Sequence, residues 1–313
     1  MGFDGLLGNQ RVKQNLTAAF QKNRISHFYL ISGPAGSGKR TLARLLAAAA
    51  VCTGEEKPCL SCNHCRKILA GTHPDFITIS DPEKKYVPID LIRNARADIY
   101  IQPNEAARKI YFIPQDMRIE AQNALLKILE EPPAYGVFIL LTENAEALLP
   151  TVRSRCTELS LTALPEDILR DALQKACPQA SSQQITGAIG RSGGYLGQAI
   201  AILEQTENEN TMRFLTAYAQ NNPVELMQVL VPMEKWKRDA LIEELSQWLL
   251  ALSNALTARS GIAAIQPMAD QIGAARTGQD LLHGIQTLQK AIDYANRNIS
   301  PGAICGYLAW ELQ

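Results

Sequence analysis

The apolar positions along the chain fall into two regimes. In the first half they form short continuous runs separated by helical patterns. "ISHFYLISG" (25–33) alternates and then runs apolar into a glycine, the signature of a buried strand. "KIYFI" (109–113) and "VFILLT" (137–142) carry the same signature. Strong helix formers follow the first run in "TLARLLAAAAVC" (41–52). Between the second and third runs, "IEAQNALLKILEEPP" reads as a helix stopped by Pro132 and Pro133. Strands alternating with helices predict an α/β domain with a doubly wound parallel sheet over residues 1–163.

From Leu164 onward no strand pattern remains. "ALPEDILRDALQKA" and "GGYLGQAIAILEQ" predict a small helical domain over 164–208, and the polar "TENENT" (206–211) reads as a linker. Residues 209–313 are helical as well. Leu241, Leu245, Trp248, Leu249, Leu252 and Leu256 keep helical spacing on one face, and so do Leu281, Ile285, Leu288 and Ile292. Such stripes are core or helix–helix contacts.

Composition narrows the class. A length of 313 residues suits two or three domains. With 31 basic and 31 acidic residues the formal net charge is zero, which argues against a free-standing, salt-driven nucleic-acid binder. A local basic strip within a larger assembly remains open. No apolar run reaches membrane-spanning length, and "MGFDGLLGNQ" lacks a basic start and an apolar signal core. Leu6 stands where a myristoylation signal wants Ser or Thr. The expected location is the cytoplasm.

Two motifs carry chemistry. "GPAGSGKR" (33–40) sits between a strand and a helix and places Gly33, Gly36, Gly38 and Lys39 as in a phosphate-binding loop. The next position should supply a hydroxyl to Mg²⁺, but it is Arg40. Thr41 comes one residue late, which on a helix turns its side chain about 100° away. Arg40 could itself pair with phosphate, so binding without catalysis stays open.

Cys52, Cys59, Cys62 and Cys65 form the second motif, C-x6-C-x2-C-x2-C. Four thiolates at this spacing suit a closed, tetrahedral, structural Zn²⁺ site. The short polar segment between them cannot build its own core, so a metal would fix its shape. The bland alternative is a loop with free thiols. His64 could replace one ligand, although the four cysteines need no help. Cys156, Cys177 and Cys305 read as packing residues.

The order of "ISHFYLISGPAGSGKRTLARLLA", the cysteine cluster, "NALLKILEEPP" and "SRC" (154–156) resembles the AAA+ clamp-loader subunits. Within them it is most similar to the delta-prime family of bacterial DNA polymerase III, over residues 1 to about 205. Near the C-terminus, "RNISPGAICGYLAWEL" looks like the family's final helix region. The resemblance implies a RecA-like core with a zinc-binding insertion at 52–65, a helical lid over 164–208 and a helical collar over 209–313. It also implies gamma/tau and delta subunits as partners in a five-subunit ring. That ring acts on a sliding clamp and primer–template DNA.

The resemblance assigns further positions. Active members end the strand matching "KIYFI" with Asp-Glu, where this chain has Pro114 and Gln115. Asp116 is near, but the following segment is about two residues shorter than usual, so its place is open. "GGYLGQAI" (193–200) matches the sensor-2 turn, with Gln198 where active subunits carry an arginine on the γ-phosphate. Arg40, the Pro114–Gln115 pair and Gln198 are three losses in one direction, so turnover of Mg²⁺-ATP by this chain is not expected. The arginine of Ser-Arg-Cys reaches a neighbour's ATP in the family, and that role falls to Arg155, with Arg153 the next choice. A surface salt bridge is the bland alternative.

The resulting expectation is a non-hydrolysing, stator-like subunit. An ATP-hydrolysing motor similar to gamma/tau is the alternative, and it would need Asp116 and Thr41 at its metal. A zinc-dependent nucleic-acid module is a third reading, which the neutral charge disfavours. Arg93 and Arg96 in "IDLIRNARADI" (89–99) could face DNA phosphate, or form an ordinary solvated face.

Overall fold

Five strands, β1 (Phe28–Ser32), β2 (Phe76–Thr78), β3 (Lys109–Ile113), β4 (Gly136–Thr142) and β5 (Thr157–Ser160), pair in parallel in the order β2-β3-β4-β1-β5. The computed structural model that shows this describes residues 2–204, 209–259 and 267–312. Every position of β1, β3 and β4 is buried, as expected of central parallel strands covered on both faces. Alternate side chains serve two cores. Tyr29 and Ile31 point to one, while Phe28 and Leu30 point to the other.

The helices explain the two faces. The first core is completed by α1 (Gln10–Gln21), α2 (Lys39–Val51) and α3 (Asn63–Ala70), through Leu16, Phe20, Leu42, Leu46 and Ile68. The second is completed by α4 (Ile89–Asp98) and α5 (Ile119–Glu130), through Ile92, Leu125 and Ile128. Tyr111 stacks on Phe138 at 4.7 Å between ring centres, which fixes β3 against β4. A four-residue helix, α6 (Pro150–Arg153), precedes β5. The doubly wound α/β reading thus holds. β2 and β5 are strands the apolar pattern did not disclose.

The chain divides into two compact units. One is Met1–Leu169 with Gly193–Gln198, and it holds the sheet. The other is Arg170–Ser192 with Ala199–Gln313. Beyond the sheet the described elements are helices only: α7 (Glu166–Ala176), α8 (Ser182–Arg191), α9 (Leu196–Glu204), α10 (Glu209–Ala219) and α11 (Pro223–Met233). Then come α12 (Arg238–Arg259), α13 (Pro267–Ala275), α14 (Gly278–Asn296) and α15 (Pro301–Glu311). The predicted leucine stripes do form core. Leu241, Leu245, Trp248, Leu252, Leu281 and Leu288 are buried, and Phe214 stacks on Trp248 at 3.9 Å. Thr277 and Asp280 cap the start of α14 reciprocally.

The linker expected at 206–211 is corrected in part. Residues 206–208 lie outside the described residues, but 209–211 open α10. Thr211 is buried there because its hydroxyl meets the Glu244 carboxylate at 2.8 Å, a partner the local sequence does not reveal.

Candidate functional site

β1 lies next to β4, with Ser32 in register with Thr142, and the glycine loop leaves the sheet at that edge. The Gly33 N–H donates to the Thr142 carbonyl at 3.3 Å. Gly36 and Gly38 take φ of +74° and +94°, where only glycine is free of strain. The loop therefore enters α2 with Lys39 as its first helical residue. Lys39 Nζ turns back and donates to the carbonyls of Gly33 and Pro34 at 2.5 and 2.8 Å. Burial pushes its ammonium below the usual lysine range, and the carboxylates of Glu143 and Asp116 oppose that shift.

The rest of the loop is poorly furnished for magnesium. Arg40 and Thr41 are both exposed. The buried hydroxyl of Ser37 has no hydrogen-bond partner among the described residues. Gly36 is roofed by the turn at 193–198. The Gly197 N–H donates to the Gly36 carbonyl at 2.9 Å, and a Cβ on Gly36 would lie 2.5 Å from the Gln198 nitrogen. Gln198 thus covers the loop with backbone.

The end of β3 is likewise turned to other work. Pro114 follows the strand. The Gln115 amide donates to the carbonyls of Asp81 and Lys84 at 2.8 and 2.7 Å and accepts the Asp81 N–H at 2.9 Å. It is a strut for the loop over 81–84. Asp116 is the residue the sequence could not place. Its carboxylate accepts the Thr142 hydroxyl at 2.8 Å, one strand away from the glycine loop. Glu143, whose charge also reaches Lys39, was missed, although an acid just past a buried strand is a visible cue.

Arg153, which ends α6, and Arg155, just beyond it, separate. Arg153 pairs with Glu158 on β5 at 3.4 Å. Arg155 is 39% exposed, donates to the Thr151 carbonyl at 3.0 Å and meets Glu130 at 3.5 Å. Cys156 beside it donates to the Val152 carbonyl at 2.9 Å, and burial pushes its thiol up to about 12. It is a packing group, as are the buried Cys177 and Cys305.

Cys52, Cys59, Cys62 and Cys65 converge, with their sulfurs all within 4.8 Å of one another. Backbone N–H groups aim at them: those of Gly54 and Cys59 reach Cys52 at 3.3 Å, and that of Cys62 reaches Cys59 at 3.3 Å. The Cys62 N–H, aided by Ser61, brings the Cys59 thiol down to about 6. Burial drives Cys52 and Cys65 the other way. Such a set fits one cation, whose charge supplies what burial withholds from the inner thiolates.

His64 stays out of this set. Its Nδ1 lies 2.9 Å from Nε2 of the buried His73, whose Nδ1 accepts the Asp75 N–H at 3.0 Å. That acceptance places the His73 proton on Nε2, pointing at His64. Lys67 holds both Glu105 oxygens at 2.7 Å. Glu105 lies 3.6 Å from His73 Nε2, and His64, His73 and Glu105 offer ligand atoms all within 4.8 Å of one another, a second set that could hold a cation.

Basic groups gather elsewhere than expected. Arg93 pairs with Asp90 at 3.0 Å, and Arg96 is half-buried in the last turn of α4. A groove between the starts of α4 and α5 is lined instead by Lys84, Lys85, Tyr86 and Arg118, with Asp90 and Glu120 also on its wall. The Arg118 guanidinium lies 5.2 Å over the Tyr86 ring and the Lys85 ammonium 5.6 Å from it.

Known proteins resemble this chain in sequence. The family described as DNA polymerase III, delta subunit, matches residues 8–165, just over half of the chain. DNA polymerase III subunit delta' of Bacillus subtilis is 35% identical over 52% of this chain and 50% of its own. That of Haemophilus influenzae is 26% identical over 89% and 87%. DNA polymerase III subunit gamma of Buchnera aphidicola is 28% identical over 81% and 74%.

Proposed function

The chain belongs to the DNA polymerase III, delta subunit, family, and from that premise we propose a delta-prime-type clamp-loader subunit that does not hydrolyse ATP. It supplies Arg155 to ATP held by a neighbouring gamma/tau subunit. Residues 1–163 act as the RecA-like core, 164–208 as the lid and 209–313 as the collar of a ring that also contains delta. The assembly acts in the cytoplasm and places a sliding clamp on primed DNA. Among the described residues no helix is long and apolar enough to cross a membrane.

One observation carries the stator reading. Gln115, where active members keep a catalytic carboxylate, has both ends of its amide engaged by the 81–84 loop. Phosphoryl transfer needs a charge there to aim water or metal, and a tethered amide supplies none. Arg155 is placed differently. It sits at the surface with N–H groups to spare, and a guanidinium delivered in trans offsets charge spreading over the transferring phosphoryl group. Zinc is the fitting cation for the four cysteines, where it would hold residues 52–65 in shape. Lys84, Lys85 and Arg118 are the groups best placed to meet DNA phosphate.

A second reading, an ATP-hydrolysing motor, has one favourable observation: the Asp116–Thr142 pair and Glu143 beside Lys39. Reconstitution separates the two. The chain is mixed with gamma/tau and delta subunits, clamp and primed DNA, and ATP turnover is measured. Arg155→Ala should lower turnover by about a thousandfold or more, and Lys39→Ala should leave it nearly unchanged. The reverse pattern, with turnover by the isolated chain, favours the motor.

A further inference from the structure

The "LEEPP" end of α5 is the part of the sequence pattern that the trans-arginine reading leaves without a role. Glu130 is the last helical residue and Glu131 follows it, so two carboxylates crowd the negative end of the helix dipole. Pro132 and Pro133 stop the helix immediately afterwards, which fixes where the Glu130 side chain begins. Lys127 in the same last turn offsets part of this charge, and a second cation from elsewhere in the fold meets the Glu130 carboxylate.

That cation is Arg155. Its backbone is anchored in a tight turn, in which the Arg155 N–H donates to the Val152 carbonyl at 3.1 Å and the Cys156 N–H to the Arg153 carbonyl at 3.0 Å. Its tip is held at two points, the Thr151 carbonyl at 3.0 Å and the Glu130 carboxylate at 3.5 Å. Arg153, two residues earlier, is committed to Glu158. A guanidinium has five N–H groups, so two contacts leave others for a third party.

We propose that Glu130 is the positioning residue for Arg155, holding its guanidinium extended at the surface so that it meets a neighbour's phosphoryl group with its rotamer already chosen. This rests on the trans-arginine reading. A long, otherwise free arginine samples many rotamers, and fixing one beforehand removes that ordering from the step in which charge develops. Glu130 itself touches no reacting atom. Its effect should be modest, because an exposed pair contributes little.

The test uses the reconstituted ring with full-length chains. Glu130→Gln should lower kcat by about threefold, the scale of an exposed ion pair. The KM for ATP and the amount of assembled ring, measured by gel filtration, should not change. Glu130→Asp should recover part of the loss. Glu131→Gln, which removes the adjacent charge, should match the unmodified chain, and Arg155→Ala should abolish the acceleration. Equal rates for Glu130→Gln and Glu131→Gln, or a Glu130→Gln defect confined to ring assembly, would overturn the proposal while leaving the Arg155 role intact. Unchanged turnover in Arg155→Ala would overturn both.

Discussion

Gly36 and Gly197 meet backbone to backbone: the Gly197 N–H donates to the Gly36 carbonyl at 2.9 Å, and a Cβ on Gly197 would sit 2.6 Å from the Gly36 Cα. The contact joins the phosphate-type loop to the turn that carries Gln198, two segments 161 positions apart (197 − 36). No side chain mediates it, so no side chain can relax to admit a larger residue.

Gly36→Ala should therefore destabilise more than Gly38→Ala. Both pay about 1–2 kcal/mol for a left-handed backbone. At Gly36 the new methyl also meets the Gln198 nitrogen at 2.5 Å, whereas at Gly38 the nearest atom is the Leu6 methyl at 3.5 Å. Thermal unfolding ranks the pair. Hydrogen exchange at the Gly197 amide should speed up in Gly36→Ala alone.

The four-cysteine site should hold one zinc per chain, countable by native mass spectrometry. Binding to a closed thiolate site is worth on the order of 10 kcal/mol, far more than the short polar segment 53–64 can replace. Chelation, or Cys62→Ser, should open that segment to a glutamate-specific protease at Glu55 and Glu56. Uncut chains after complete metal removal would count against a structural metal.

Asp75 predicts an acid-side pH dependence. Its carboxylate is fully buried, which alone would raise its pKa, but the backbone N–H groups of Asn104, Glu105 and Ala106 and the Asn104 amide outweigh burial and hold it below 3.8. A depressed carboxylate stabilises the fold above its unfolded value, and the gain is lost as pH falls through the folded one. Asp75→Asn should cost about 2–3 kcal/mol at neutral pH. The gap from the unmodified chain should narrow only below pH 3.8.

The basic groove predicts a salt signature. In the assembled ring, Lys84→Ala with Lys85→Ala should weaken primed-DNA binding and lower the slope of log K against log salt by about 1–2, roughly one for each phosphate no longer neutralised. Lys84 is paired with Asp81 at 3.3 Å and Arg93 with Asp90 at 3.0 Å, so Lys85→Ala should carry most of the change and Arg93→Ala little. Equal slopes for the unmodified ring and the double variant would remove Lys84 and Lys85 from the DNA path.

What the sequence disclosed follows from how local each signal is. β1, its glycine loop and α2 are consecutive, and β3 and β4 are wholly apolar runs, so pattern alone finds them. β5 was hidden because only Leu159 of its four residues is buried, and β2 because it is three residues with none fully buried. The cysteines announce themselves by spacing. Asp116 does not, since its meeting with Thr142 depends on the pairing of β3 with β4. The Arg155–Glu130 pair and the His64–His73 bond are products of tertiary packing, and no window of sequence contains their cause.

Gln115 has one more implication. Its amide gives two hydrogen bonds and receives one, and a carboxylate at that position could only receive. Gln115→Glu would thus repel the Asp81 and Lys84 carbonyls and release the loop that presents Lys84 and Lys85. An acid placed here by a single substitution would therefore alter a neighbouring basic surface at the same stroke.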